Sequence, residues 1–222
     1  MYAKFWKRFF DFTLSLLALI VLSPVLLVLI IVGAIAMRGN PFFVQLRPGK
    51  KGKDGKEKIF RLIKFRTMSN KRDKDGNLLP DAERLNGYGR FLRKTSLDEL
   101  GELINILCGD MAIVGPRPLA VQYLPFYNEN ERRRHTVLPG LTGLAQINGR
   151  NATNWPERFA YDLEYIDNIS FVNDLKIIFK TVVKVLKRGD VAVRGTGTIV
   201  DFDKYRQQEK ATVAEVTSHG KS

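Results

Sequence analysis

Ser96-Leu97-Asp98-Glu99 sets two carboxylates side by side at the start of an apolar run. The pattern predicts a capping box, with Ser96 as helix N-cap and Glu99 returning to its backbone, and by that account it is simply a well-started helix. The same geometry has a chemical use. Asp98 in the first turn would face the positive end of the helix dipole, which favours its ionised form and any phosphate beside it. A carboxylate held ionised next to an anion site serves as a nucleophile, a metal ligand or both. In Gly115-Pro116-Arg117-Pro118 the second proline pushes Arg117 toward an extended backbone and the first stiffens the approach, so the guanidinium is aimed before ligand arrives. That suits bidentate phosphate recognition, though a rigid surface turn with a solvated arginine satisfies the same residues. Arg93, five residues before Asp98, and the Asn148-Gly149-Arg150 loop supply further cations, and Lys64 shares a strand face with Arg66. For that pair a polybasic, lipid-adhering surface competes with a phosphate site. Cys108 reads as a small core residue, His135 beside Arg132, Arg133 and Arg134 as part of a basic helix face, and Trp155 and Phe159 as core or interface anchors. The sequence carries no P-loop, dinucleotide fingerprint or zinc motif.

Short elements must position these groups. Pro41–Leu46 and Lys58–Met68 read as strands joined by the basic loop Pro48–Lys56, followed by a polar loop over Lys71–Pro80. Asp81–Lys94 is helical but interrupted by Gly87 and Gly89. Leu97, Leu100, Leu103, Ile104 and Leu107 form the apolar face of the next helix, which stops by Gly109. Gly101 inside it costs about 1 kcal/mol against alanine. A buried Met111–Val114 segment leads into Arg117. Helices are expected over Leu119–Asn128, Glu129–His135, Trp155–Asn168 and Asp174–Arg188, the last with Leu175, Ile178, Phe179, Val182 and Leu186 on one side. Residues 206–222 read as a polar, flexible tail.

The chain has 222 residues and a net charge of +13, from 36 Lys+Arg against 23 Asp+Glu, which excludes an acidic disordered tail and points to anionic partners. Twelve of the basic residues fall between Arg38 and Arg72, against only Asp54 and Glu57. One cysteine supplies neither a disulfide nor a multi-cysteine zinc cage. From Phe12 to Met37 there are 26 positions without a charge. As a straight helix they would measure about 39 Å, more than the roughly 30 Å of hydrocarbon to be matched. Pro24 removes a backbone donor, freeing a carbonyl near Ile20 that the Ser23 hydroxyl can satisfy. Lys4, Lys7 and Arg8 precede the run, and Arg38, Arg47, Lys50, Lys51 and Lys53 follow it, so both ends are drawn to the cytoplasm. A helix that enters, turns at Ser23-Pro24 and leaves on the same face satisfies both pulls; a kinked spanning helix is the competing reading. Tyr2, Phe5, Trp6, Phe9 and Phe10 form an aromatic stripe for the headgroup level.

Phe43-Val44-Gln45-Leu46-Arg47-Pro48-Gly49, Lys64-Phe65-Arg66-Thr67-Met68, Thr95-Ser96-Leu97-Asp98-Glu99-Leu100, Gly109-Asp110-Met111, Val114-Gly115-Pro116-Arg117-Pro118-Leu119 and Pro139-Gly140-Leu141-Thr142-Gly143 follow one another in a single order. Together they resemble the bacterial sugar transferase family, the monotopic polyprenyl-phosphate phosphoglycosyl transferases, over about Tyr2 to Tyr205. In its small size the chain is most similar to the phospho-N,N'-diacetylbacillosamine transferase type. The resemblance implies an α+β, predominantly helical fold. Residues 1–37 would form an interfacial and re-entrant membrane helix broken at Ser23-Pro24. Residues 38–205 would form a cytoplasmic catalytic domain with a small β-hairpin at the membrane surface, and 206–222 the tail. It implies a two-step reaction with Mg²⁺, held by Asp98, on the cytoplasmic face of a bacterial inner membrane. Asp98 would attack a UDP-sugar, an N-acetylated amino sugar by similarity to the small members, and release UMP. Undecaprenyl phosphate would then take the phospho-sugar. Glu99 would handle a proton or orient the metal, and Lys64, Arg93, Arg117 and Arg150 would line the phosphate or nucleotide site. Anionic lipids and downstream glycosyltransferases are the expected partners, a homo-oligomer is left open, and nucleic acid is not expected. A membrane-tethered nucleic-acid binder and a non-catalytic glycan-pathway scaffold are the rival readings.

Overall fold

The uncharged run folds as two helices, α1 (Trp6–Val21) and α2 (Ser23–Met37), bent by 65° at Leu22. Pro24 sits in the first turn of α2, where its missing donor costs nothing, and Ser23 Oγ donates to the Ile20 carbonyl at 2.7 Å, as the sequence predicts. Neither helix alone is long and apolar enough to cross a membrane; the bent pair together meets that test. Ile20, Val21, Leu27 and Val28 around the bend stay largely exposed. The computed structural model describes residues 1–149, 154–187 and 200–219, with side chains to Thr212.

Both far ends of this bent pair are fastened to the rest of the chain. Near the start of α1, Arg8 donates to the carbonyls of Ile106 and Leu107 and Asp11 accepts from the Ile113 amide at 3.0 Å. Lys7 meets Asp174 at 2.7 Å, and the same carboxylate accepts from Tyr2 and Tyr165. In the middle of α2, Leu29 is buried with Phe65 and Leu92 and Tyr88 Oη donates to the Leu29 carbonyl at 2.9 Å, and near its end Asn86 Nδ2 donates to the Ala36 carbonyl at 3.2 Å. Gly33 makes room for that tyrosine, since a Cβ there would lie 2.8 Å from its oxygen.

An antiparallel hairpin follows, β1 (Phe42–Lys51) on β2 (Glu57–Phe65), with Phe42 opposite Phe65 and an irregularity between Pro48 and Lys51. That bulge carries the strand past Pro48, which has no ladder donor, so β1 outruns its expected end at Leu46. β2 stops at Phe65 rather than Met68, so Arg66 lies outside the strand that holds Lys64. Next come α3 (Asp81–Arg84), α4 (Gly87–Thr95), a 3-10 turn (Leu97–Gly101), α5 (Glu102–Cys108) and β3 (Ala112–Val114), which pairs in parallel with β4 (Gly140–Thr142). The two helices expected between Leu119 and His135 shrink to 3-10 turns at Val121–Phe126 and Arg133–Thr136 around the short α6 (Glu129–Arg132). Pro125, inside the first turn, has no amide to continue an α-helix. α7 (Leu144–Gly149), α8 (Trp155–Asp167), α9 (Phe171–Leu186) and α10 (Phe202–His219) complete the described elements. The fold is predominantly helical with a small β component, as expected.

Leu175, Phe179, Val182 and Leu186, expected on one side of α9, are exposed, and Asp174 and Ile177 are the buried residues of that helix. Residues 206–219, read as tail, lie in α10, whose Phe202 is fully buried with Tyr123, Tyr127, Trp155 and Phe159. Arg206 in its second turn pairs with Glu131, so the helix is tied down by contacts that its polar composition does not advertise.

Candidate active site

The 3-10 turn that carries Asp98 and Glu99 lies directly on β2. A Cβ at Gly101 would stand 2.8 Å from the Ile63 carbonyl, so only glycine permits the approach. Asn105, one turn further, accepts from the Ile63 amide at 2.9 Å and donates to the Arg61 carbonyl at 2.7 Å, satisfying strand groups from a helix side chain. With β2 pinned this way, Lys64 Nζ reaches Glu99 Oε1 at 3.0 Å and Glu102 Oε1 at 2.9 Å. Arg117 donates to the same Glu99 oxygen.

The capping box is not formed. Ser96 ends α4 in the left-handed region, at φ 57°, and its side chain caps nothing. Glu99 turns to Lys64 and Arg117 instead, because two cations outbid one backbone amide for a carboxylate. The inward face of α5 also differs from expectation: Glu102, Leu103, Asn105 and Ile106 are buried, and Ile104 is exposed.

Electrostatics separate the neighbouring acids. Burial raises Asp98 to about 6, aided by the negative charge of Glu99 and opposed by Lys64 and Arg117. Burial would raise Glu99 too, but Arg117 and Lys64 overcome it and hold the carboxyl well below the usual range. Lys64 and Arg117 thus take Glu99 as partner, and Asp98 enters no ion pair among the described residues.

Arg117 is held by a device that the sequence reading missed. Its carbonyl accepts from Arg134 Nη2 at 2.7 Å, and Arg134 is fixed by Asp162 at 2.8 and 3.0 Å and lies against the rings of Tyr127 and Phe159. The available signal was Asp162 on the apolar stripe of Trp155 and Phe159, an acid where burial demands a partner. His135 is likewise buried rather than on a basic face: its ring meets Tyr127 edge-on and lies 3.4 Å from Glu57, with burial lowering its pKa to about 3. Cys108, expected in the core, is exposed. Trp155 and Phe159 are core residues. Arg93, in the last turn of α4, donates from Nε to Thr67 Oγ1 at 3.0 Å, three residues beyond Lys64. Arg150 falls outside the described residues. The structure therefore brings Lys64, Glu99 and Arg117 into one cluster around Asp98 and adds Glu102, which sequence reasoning passed over.

Adjacent carboxyls of unequal proton affinity, facing a lysine and an arginine, make an arrangement able to do nucleophilic or acid-base work on an anionic substrate. The whole-chain comparison makes the class specific. The chain belongs to the bacterial sugar transferase family, whose model matches residues 2–188. It is 51% identical over 180 residues to the uncharacterized sugar transferase EpsL of Bacillus subtilis, covering 81% of this chain and 87% of that one. The exopolysaccharide production protein ExoY of Sinorhizobium fredii is 38% identical over 201 residues, covering 82% of this chain and 87% of its own. The UDP-glucose:undecaprenyl-phosphate glucose-1-phosphate transferase of Klebsiella pneumoniae is 42% identical over 189 residues, which is 81% of this chain and 40% of the relative.

Proposed function

We propose that this protein transfers a sugar 1-phosphate from a UDP-sugar to undecaprenyl phosphate, releasing UMP and making undecaprenyl diphosphate sugar. The observation that carries this reading is the division of labour at the dyad: Glu99 is consumed by Lys64 and Arg117, and Asp98 is left without an ion-pair partner among the described residues. In the first step an Asp98 carboxylate oxygen bonds to the β-phosphorus as the bond from that phosphorus to the UMP oxygen breaks. In the second an oxygen of undecaprenyl phosphate bonds to the same phosphorus, and the bond to Asp98 breaks. Phosphoryl transfer is mostly positioning and neutralisation of charge, which Lys64 and Arg117 would supply; the family resemblance adds Arg93 and Arg150 as further phosphate- or nucleotide-binding residues. Glu99 orients the two cations, a role that suits an acid held well below the usual carboxylate range.

The donor set fits Mg²⁺, a hard cation that takes one or two carboxylates and keeps its waters. Asp98 would hold it, and when bound it would neutralise charge on the diphosphate. The Klebsiella relative's name supports both the acceptor and the class of donor. For the sugar, an N-acetylated amino sugar remains the expectation from the small members, with glucose and galactose as the competing outcomes.

The membrane reading is re-entry on the cytoplasmic face of a bacterial inner membrane. Both ends of the bent helix pair are bonded to the same catalytic body, α1 through Arg8 and Asp11 and α2 through Leu29 and Ala36, which favours both ends on one side of a bilayer. The exposed apolar face of α9, with Phe171 against Tyr2 and Phe10, suits the lipid surface beside them. Anionic lipids and the glycosyltransferases that extend the product are the natural partners.

The test is incubation of the purified full chain with a panel of radiolabelled UDP-sugars, Mg²⁺ and undecaprenyl phosphate. UMP and a lipid-linked product are expected from one or a few donors. With donor alone, intact mass and peptide mapping should place a phospho-sugar on residue 98; turnover without any such mass would overturn the covalent route. No turnover across the panel, with salt-sensitive oligonucleotide binding, would replace the reading by a polyanion binder.

A further inference from the structure

Glu102 follows the dyad by three residues and is itself 2% exposed, on the apolar side of α5 beside Leu103 and Ile106. A carboxyl in that place is costly unless it is partnered. Its partner is Lys64, at 2.9 Å, the ammonium that also meets Glu99 at 3.0 Å. The arrangement is rigid on both sides, since Glu102 begins α5 directly after the Gly101 contact with Ile63, and Asn105 ties the next turn to Arg61 and Ile63. An ammonium has three donors. Two are taken by Glu99 and Glu102, which fixes the direction of the third.

We infer that Glu102 is a positioning residue: it keeps the Lys64 ammonium in the site when the contact with Glu99 is exchanged for a phosphate oxygen of the substrate. The inference rests on the phosphotransfer reading above. Glu102 is too deeply buried to touch substrate, so its influence passes through Lys64. The groups that face it are Lys64 from β2, Glu99 from the 3-10 turn and Arg117 from the loop after β3. Burial raises the Glu102 carboxyl to about 7, with Glu99 pushing the same way and Lys64 opposing. A neutral carboxyl still offers its carbonyl oxygen to an ammonium, so the role asks for an acceptor and not for a charge.

That distinction sets the experiment, run on the full chain with wild-type turnover as the reference. Glu102→Gln should keep kcat/KM within about threefold, and Glu102→Leu, of similar bulk but without an acceptor, should lower it by roughly tenfold or more with the melting temperature little changed. In a Lys64→Gln background Glu102→Leu should cost nothing further, because the group through which it acts is gone. Should the leucine variant not fold, Glu102→Met carries the same comparison. Wild-type rates in the leucine variant, an equal loss in the glutamine variant, or a full additional loss on top of Lys64→Gln would each overturn the inference. A wild-type protein without turnover would instead overturn the phosphotransfer reading itself.

Discussion

Asp98 and Glu99 are joined by one peptide bond, yet the two cations that reach this turn both settle on the second acid. The asymmetry predicts different failures. On the proposed route Asp98→Asn replaces the attacking carboxylate by a neutral amide and should lower transfer by about a thousandfold or more with the fold intact. Glu99→Gln leaves Lys64 and Arg117 competing for a neutral acceptor and should also nearly abolish turnover, but phospho-sugar trapping on residue 98 should remain detectable at long times. Comparing trapping and turnover in the two variants checks this. The pH dependence follows from Asp98. Its pKa is raised to about 6, and on the proposed route only the ionised form attacks, so kcat/KM should rise with pH through an apparent pKa near 6. A rate that is flat between pH 5 and 7 would contradict it. His135 acts on stability instead. Its folded pKa, near 3, lies below its ordinary 6.5, so the unfolded chain binds the proton first. Stability should fall as pH drops from 6.5 toward 3, by about 1.4 kcal/mol per unit within that window. Denaturant titrations of wild type and His135→Gln across pH 4–7 should show the slope reduced in the variant.

Two neighbouring elements govern how the dyad is presented. Glycine inside a helix normally invites replacement by alanine, worth about 1 kcal/mol in propensity. At Gly101 the opposite is expected, because the new methyl would meet the Ile63 carbonyl at 2.8 Å. Gly101→Ala should destabilise by about 1–3 kcal/mol, read by thermal unfolding, and reduce turnover by shifting the 3-10 turn off β2. This position also marks where sequence reading stopped. Ser23-Pro24 displayed its bend openly, because proline chemistry is local. Ser96 satisfied the letter of a capping motif, but the partner that decided the matter, Lys64, comes from a strand 35 residues away in sequence from Glu99. Asp162 and Asp174 were each visible as an acid on an apolar face, whereas Glu102 fell opposite the apolar face expected for its helix; their cationic partners became known only once the elements were packed. The exposed stripe of α9 was legible as apolar, but periodicity does not say what covers such a face.

At the scale of the whole molecule, the topology of the bent pair is the deciding measurement. With Cys108 replaced by serine, cysteines at residues 3 and 40 should both resist an impermeant thiol reagent in intact cells. Pro24→Ala, which lets one continuous helix form, should make residue 3 reactive from outside in a part of the population. Labelling of residue 3 in the parent protein would establish a spanning helix in place of re-entry.

Arg8 has a consequence for anyone wishing to cut this enzyme down. The carbonyls of Ile106 and Leu107, the Ile113 amide and the Asp174 carboxylate all look to the first eleven residues for their partners. Trimming the chain at residue 38 would leave the Ile106 and Leu107 carbonyls of α5 and the Ile113 amide of β3 without these partners, and Asp174 with Tyr165 in their place. A fragment cut there should lose stability together with turnover, because the bent helix pair and the body that carries Glu102 are built as one piece.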